Sequence, residues 1–199
     1  MIRNKYNNEI KINNNELNKK NNNEIKNTYS KNEEVKIEYK NEINLIYFTE
    51  KEGLEKIFGK KFIENNQKNI DLIINGEKIQ LKDEYKLKKS KNNVKIIINN
   101  RILNLESIFY ECKSLKNIDE LKYLDTRDIT NFSYMFSQCS LISDLKALKY
   151  WEISKVKTLK GMFYGCSSIK DLKPLENWNV SNINDFSYMF YGCSALTDI

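Results

Sequence analysis

The four cysteines of the chain are evenly spaced, and this spacing constrains the fold more than any other feature. Each cysteine lies 27 residues from the next, and all four sit in the pattern Phe-x-x-Cys-x-x-(Leu/Ile)-x-x-(Leu/Ile). A fixed period of this length is typical of repeat proteins, in which each unit buries its apolar side against its neighbours. The structural repeat positions are Phe109, Cys112, Phe136, Cys139, Trp151, Phe163, Cys166, Trp178, Phe190 and Cys193.

Each repeat also carries a local hydrophobic pattern. In the last repeat Ile183, Phe186 and Phe190 follow helical spacing, and Ser181 stands where an N-cap residue would satisfy the first amides. After each cysteine the apolar spacing changes to three residues. The pattern predicts a short helix, a turn and a short extended segment in every repeat, with the Phe and Trp side chains stacked in columns.

The repeats resemble the BspA-like leucine-rich repeat proteins, a surface-protein repeat class of bacteria and protists. The segment that carries the resemblance is WNVSNINDFSYMFYGCSAL at residues 178–196. Parts of it recur as SYMF at 133–136 and as GMFYGC at 161–166. The resemblance covers residues 101–199. It implies a leucine-rich-repeat-like solenoid of four 27-residue repeats, apparently uncapped at its C-terminal end because no polar capping unit follows, as a truncated gene model or fragment would show.

Residues 35–100 are predicted to form a small α+β unit in front of the solenoid. The dipeptide Asn75-Gly76 supplies the two positive φ angles of a tight hairpin turn. Period-two alternation and short apolar runs predict strands at residues 35–39, 43–48, 70–74, 77–81 and 94–98.

One helix is predicted inside this unit. Thr49, followed three residues later by Glu52, has the spacing of a capping box. The apolar residues after it, Leu54, Ile57, Phe58 and Phe62, then fall on one face of a short helix.

The first 34 residues have a different composition from the rest. They contain twelve Asn with isolated Ile and Leu, and cannot bury enough apolar surface to offset their backbone entropy. We therefore expect a disordered Asn- and Lys-rich tail, and α+β as the class of the whole chain. An Asn-rich interaction tail is the functional interpretation. The codon bias of an AT-rich genome explains the composition equally and is the interpretation we favour.

Composition and charge exclude several functions. The chain has no His, so it cannot form a Ser-His or Cys-His nucleophile pair. The net charge is +6, but the densest basic cluster, residues 82–91, contains only Lys among its basic residues and is broken by Asp83 and Glu84. Such a cluster favours a solvated loop over a nucleic-acid surface. The residues from Gly53 to Lys60 depart from the spacing of a phosphate-binding loop. We expect no nucleic acid, no cofactor and no catalytic residue.

The cysteines invite a metal or disulfide interpretation, which the spacing does not favour. Zinc sites typically take thiolates in pairs two to four residues apart. Cysteines that repeat in one stacked column point the same way, so neighbours are poorly placed for a disulfide bond. We expect buried free thiols and no bound metal.

Partner-contact residues are harder to predict. Tyr123 and Tyr150 recur at one repeat phase, and Lys122 and Lys149 at the phase before it. Aromatic residues at repeat phase on a surface are reasonable contact positions, and ordinary surface variation explains them as well.

These observations favour a non-catalytic protein-binding module that presents an extended solenoid surface to a protein partner. The resemblance implies a surface or adhesion role. The alternative is an intracellular scaffold or regulator that uses the same surface. The sequence shows no signal peptide and no stretch near the roughly 20 apolar residues of a membrane span. By sequence the chain is therefore expected in the cytoplasm, and by resemblance at the cell surface.

Overall fold

The computed structural model describes residues 38–197, and their regular structure is mainly antiparallel sheet. The predicted tail at residues 1–34 lies outside the described residues, as does most of the predicted strand at 35–39. The strands are β1 (Glu42–Thr49), β2 (Gly53–Lys56), β3 (Ile70–Ile74), β4 (Glu77–Ile79), β5 (Glu84–Leu87), β6 (Ser90–Ile98) and β7 (Leu115–Asn117). One α-helix, α1 (Lys60–Asn66), and three 3-10 helices, Asp119–Tyr123, Lys146–Tyr150 and Lys173–Leu175, complete the described elements.

Five strands form one sheet in the order β4-β3-β6-β1-β7, and β2 pairs with β5 in a second. Strand β1 alternates between buried and more exposed residues because one face of the sheet covers the core. The predicted strands at 43–48 and 94–98 are confirmed and pair antiparallel, with Leu45 opposite Val94. The hairpin is confirmed as well: Asn75 and Gly76 adopt φ angles of 51° and 92° between β3 and β4.

The helix predicted after Thr49 is wrong. The segment from Gly53 forms strand β2, with Leu54 opposite Lys86 and 72% exposed. The Thr49 hydroxyl donates a hydrogen bond to the Lys88 carbonyl over 2.6 Å and makes no capping box. Pairing with β5 therefore overrides the helical spacing of the apolar residues, and the helix begins only at Lys60.

The leucine-rich-repeat-like solenoid predicted for residues 101–199 is also wrong. The sheets are not arranged as a solenoid, and the chain is α+β through its antiparallel sheet, its single described helix and its 3-10 turns. The 27-residue repeats form stacked turns. Their strand-like contact is limited to single parallel bridges that join Asn104, Asn131, Thr158 and Asp185 in succession.

Positive φ angles explain why the predicted helix in each repeat does not form. Two residues four positions apart adopt φ between 55° and 77° in every repeat, which no α-helix accommodates. In the second repeat they are Tyr134 and Gln138, and in the third Gly161 and Gly165. Ser181 consequently caps no helix, and its hydroxyl bonds to the Asn179 side chain.

In the first three repeats, the left-handed residues orient the backbone N–H groups of four alternate residues so that each donates a hydrogen bond to the next repeat. We call these four backbone N–H groups the amide row of a repeat. In the second repeat Phe136 donates to the Met162 carbonyl over 2.9 Å, and Tyr134 to the Lys160 carbonyl over 2.8 Å. The rows are Leu105, Ser107, Phe109 and Glu111; Phe132, Tyr134, Phe136 and Gln138; and Leu159, Gly161, Phe163 and Gly165.

The α+β unit and the first repeat pack as one body. Strand β7 lies in the first repeat and pairs with β1, so the large sheet spans residues on both sides of position 100. Just before α1, Gly59 donates its amide to the Ile108 carbonyl of the first repeat over 3.0 Å. Phe58 stacks on Phe109 at a centroid distance of 6.4 Å. The proposed boundary at residue 100 itself remains a prediction.

We predict that Gly59→Ala destabilises the protein and that Gly53→Ala does not. A Cβ atom at Gly59 would lie 2.0 Å from the backbone oxygen of Ser107, whereas one at Gly53 meets nothing within 4 Å. Overpacking of this kind costs about 1–3 kcal/mol. Urea unfolding followed by circular dichroism measures both variants. Equal unfolding free energies would contradict the close approach of the α+β unit to the first repeat.

Candidate interaction surface

The repeated aromatic side chains form columns, as predicted. Phe109, Phe136, Phe163 and Phe190 stack with successive ring-centroid distances of 5.5, 5.7 and 5.6 Å. The Trp151 and Trp178 rings lie parallel at 6.5 Å, and each indole donates a hydrogen bond to a carbonyl of the preceding repeat. These columns fill the core, so they hold the repeats together and are not available as a ligand site.

The four cysteines are buried and free, as predicted, and each of the last three bonds to the preceding repeat. The thiols of Cys139, Cys166 and Cys193 donate to the carbonyls of Phe109, Phe136 and Phe163, each over 3.0 Å. Burial raises the pKa of every thiol, that of Cys193 to about 11. Protonated thiols inside a core are poor nucleophiles and poor metal ligands.

One cleft of the described region is lined by charged residues that form ion pairs. It has a volume of about 270 Å³ and is lined by Arg101, Asp125 and Asp128 among others. Hydrogen bonds from Lys155 and Arg101 lower the pKa of Asp128, and one from Arg127 lowers that of Asp125. Both carboxylates are therefore ionised at neutral pH and neither is held as a general acid. Within residues 38–197 no group of three or more His, Cys, Asp or Glu is placed to hold a metal ion.

The predicted contact residues lie on two corresponding 3-10 helices. Lys122 and Tyr123 end the first of these, and Lys149 and Tyr150 end the second. The Tyr123 ring packs against the core with the Lys40 ammonium 3.9 Å from its centroid, whereas Tyr150 is 41% exposed. The two tyrosines thus have different environments, and their role in binding stays a prediction.

A second group of tyrosines, which sequence reasoning missed, forms two clusters of contacting rings. We call Tyr110, Tyr134, Tyr164, Tyr188 and Tyr191 the tyrosine face. Tyr110 meets Tyr134 edge to face at 6.5 Å, and Tyr191 stacks on Tyr164 at 5.2 Å and meets Tyr188 edge to face at 6.2 Å. Tyr188 and Tyr191 are 60% and 62% exposed.

The absence of a side chain at Gly161 leaves room for the Tyr134 ring. The Tyr134 ring lies over Gly161, where a Cβ atom would come within 2.5 Å of two ring carbons. Gly161 holds the same repeat phase as Tyr134 and Tyr188. The sequence signal was therefore present: tyrosine and glycine alternate at one phase, and Tyr110, Tyr164 and Tyr191 share another.

Comparison with known protein families identifies the family to which the chain belongs. Residues 83–199 match the family described as "Mycoplasma protein of unknown function, DUF285", and the chain belongs to it. No curated protein and no solved structure matches the chain. The match begins inside the α+β unit, at Asp83, and includes all four repeats. Among the described residues, no helix has the length and apolar character needed to cross a membrane.

Because burial raises the pKa of the thiols, we predict that the protein loses stability as the pH rises from 7.5 to 9.5. The unfolded thiols ionise near about pH 8.5, while the folded ones stay protonated, so the unfolded state alone gains from releasing protons. The stabilisation is complete below the unfolded pKa and is lost above it, by about 1 kcal/mol per pH unit for each buried thiol.

Cys166→Ala supplies the control for this measurement. The variant is less stable at pH 7.5 because it loses a hydrogen bond and leaves a small cavity, but its stability falls less steeply with pH. Urea unfolding under reducing conditions at both pH values gives the two slopes. Identical slopes for the wild type and the variant would show that Cys166 is not protonated in a sealed core.

Proposed function

We propose that this member of the DUF285 family is a non-catalytic protein-binding module and that its tyrosine face is the contact surface. The observation that carries the proposal is a pair of tyrosine ring clusters beside the aromatic core, Tyr110 with Tyr134 and Tyr191 with both Tyr164 and Tyr188. Tyrosine combines a large apolar ring with a hydroxyl group and is enriched at the energetic centres of protein interfaces.

The packing of these rings supports a binding role. Tyr191 is held by its stack on Tyr164 and by its edge contact with Tyr188. A ring that is already fixed loses little conformational freedom when a partner binds, so more of its contact energy appears as affinity. The surface is flanked by Lys56, whose ammonium bonds to Glu111 over 2.7 Å and lies 5.6 Å from the Tyr110 ring centroid.

A non-catalytic role is supported by the chemistry of the described groups. The thiols are buried with raised pKa values, and the Asp125 and Asp128 carboxylates of the charged cleft are ionised and paired. The sequence contains no His. The described thiols therefore supply no thiolate nucleophile, and the chain supplies no His base.

The finer relationship to BspA-like surface proteins is also a proposal. It is supported by the text at residues 178–196 and suggests that the module works at a cell surface. An intracellular scaffold is the second candidate. It is favoured by the four free cysteines, since thiols persist most readily in a reducing compartment.

Site-specific photo-cross-linking tests the contact surface. We predict that a benzophenone amino acid at Tyr191, introduced into the full chain in cells that produce it, yields a discrete cross-linked product with a second protein. The same group at Leu54, which is 72% exposed on β2, is the matched control and yields none. Replacing Tyr110 and Tyr164 by Ser in the Tyr191-labelled chain removes the product, because the partner loses two of its ring contacts.

Three results would contradict the proposal. They are an equal product from Leu54, a product that survives the two Ser substitutions, and a product from Tyr150 with none from Tyr191. The last result would move the contact to the predicted column of Lys122, Tyr123, Lys149 and Tyr150. Thermal unfolding of the substituted chain establishes that it is folded.

A membrane-impermeant lysine reagent applied to intact cells distinguishes the two candidate roles. We predict labelling without lysis if the module works at the cell surface, because exposed lysines such as Lys149 are accessible. Labelling that appears only after lysis would contradict the surface role and leave the scaffold role standing.

A further inference from the structure

A lysine, a glutamate and an asparagine meet where α1 approaches the first two repeats. The Lys61 ammonium lies 2.6 Å from one carboxylate oxygen of Glu106. The Asn131 side-chain amide donates a hydrogen bond to the other oxygen of the same carboxylate over 3.4 Å. Glu106 therefore holds an amine and a carboxamide next to one another. We call these three side chains the Lys-Glu-Asn cluster.

The backbone brings the members of the cluster together. The Leu105 amide donates to the backbone carbonyl of Asn131 over 3.0 Å, which places the next residue, Glu106, beside Asn131. Lys61 is the second residue of α1. The close approach of Gly59 to the first repeat brings this end of the helix to Glu106. The tertiary fold, and not only the reach of a long lysine side chain, sets the contact.

The carbonyl group of the Asn131 side chain is polarised. Its oxygen accepts a hydrogen bond from the Ser133 amide over 2.8 Å. A donor at this oxygen stabilises the negative charge that develops there when a nucleophile adds to the Cγ atom. The cluster thus contains a nucleophile, a base and a polarised acyl carbon, which are the parts that an acyl transfer requires.

We propose that the cluster forms an intramolecular isopeptide bond between Lys61 and Asn131. The Lys61 ammonium first loses a proton to water, and the resulting amine attacks Cγ of Asn131. The Glu106 carboxylate takes a second proton from the attacking nitrogen and passes it to the nitrogen of the Asn131 amide. That nitrogen leaves as ammonia, which water protonates to ammonium. One C–N bond forms and one breaks, so the reaction needs no oxidant, metal or other reactant.

The surroundings of the cluster make this a slow reaction that each chain undergoes once. The carboxylate stabilises the ammonium form of Lys61, which has no lone pair with which to attack. Positioning acts in the opposite direction, because amine and amide are held within one folded chain. The Lys61 side chain is 59% exposed, so water has access to remove the proton and the ammonia.

A related cluster in the α+β unit lacks part of this arrangement. Hydrogen bonds from Lys78 and Asn99 lower the pKa of Asp71, so a carboxylate again meets a lysine and an asparagine. The Asp71 side chain is 36% exposed, against 18% for that of Glu106. Within residues 38–197 no N–H group donates to the side-chain oxygen of Asn99, which therefore lacks the polarising donor. This second cluster should not react.

A peptide map of the full chain after prolonged incubation tests the proposal. Trypsin does not cleave after a lysine whose amine is acylated. We therefore expect a product in which residues 61–68 are joined to residues 128–146, with a mass one ammonia below the sum of the two peptides. Its rate of formation should rise about tenfold from pH 7.5 to 8.5, as the neutral fraction of a lysine amine does. No product should join Lys78 to Asn99.

Two conservative substitutions locate the reaction. Lys61→Arg keeps the positive charge but removes the attacking amine, and should abolish the product. Glu106→Gln keeps the shape of the side chain but cannot take up the proton, and should slow product formation about a hundredfold. Circular dichroism establishes that both variants are folded.

Full recovery of the unlinked 128–146 peptide after incubation at pH 8.5 would overturn the proposal. Equal rates in the wild type and in Glu106→Gln, or in the folded chain and in urea, would overturn it as well. Once linked, the wild type should unfold at a higher urea concentration than Lys61→Arg, because the bond closes a loop of the unfolded chain. The inference is independent of the tyrosine face, since the chain with Tyr110→Ser and Tyr164→Ser should form the bond at an unchanged rate.

Discussion

The amide rows determine most of the structure of residues 105–197. Each of the first three rows makes four hydrogen bonds to the next repeat, and a bond of this kind contributes about 0.5–1.5 kcal/mol net. A buried amide without a partner would cost more than the bond contributes, so the rows fix the distance and register of successive repeats. That register places Phe136 above Phe109 and Cys166 beside the Phe136 carbonyl. The aromatic columns and the buried thiols follow from it.

The sequence predicts the stacking but not the local conformation that makes it. The 27-residue period places the Phe, Trp and Cys columns correctly, because side chains of one phase in stacked units must meet. The helical spacing of the apolar residues within each repeat leads to a wrong prediction of a helix. The same spacing is compatible with turns that contain two left-handed residues. The signal against a helix was Gly161, Gly165 and Gly192, but the second repeat places Tyr134 and Gln138 at these phases. Helical spacing of apolar residues also led to the incorrect prediction of a helix from Leu54, where the chain forms strand β2.

Only part of the candidate interaction surface could be predicted from the sequence. Tyr123 and Tyr150 do occupy equivalent positions in two repeats, at the ends of corresponding 3-10 helices. Only Tyr150 is well exposed, because Tyr123 packs under Lys40. The tyrosine face depends on a ring lying over Gly161, which is a tertiary contact. The tyrosine face is produced by the repeats, so its proposed binding role and the stability of the fold have a common structural origin.

A scalar coupling across one hydrogen bond tests this account most directly. In the deuterated, isotopically labelled protein, the amide nitrogen of Phe136 should couple to the carbonyl carbon of Met162, across the 2.9 Å bond between repeats. A coupling to the carbonyl carbon of Phe132 would instead indicate an α-helical turn within the repeat. That result would contradict the stacked turns, and with them the amide rows that set the register of the tyrosine face.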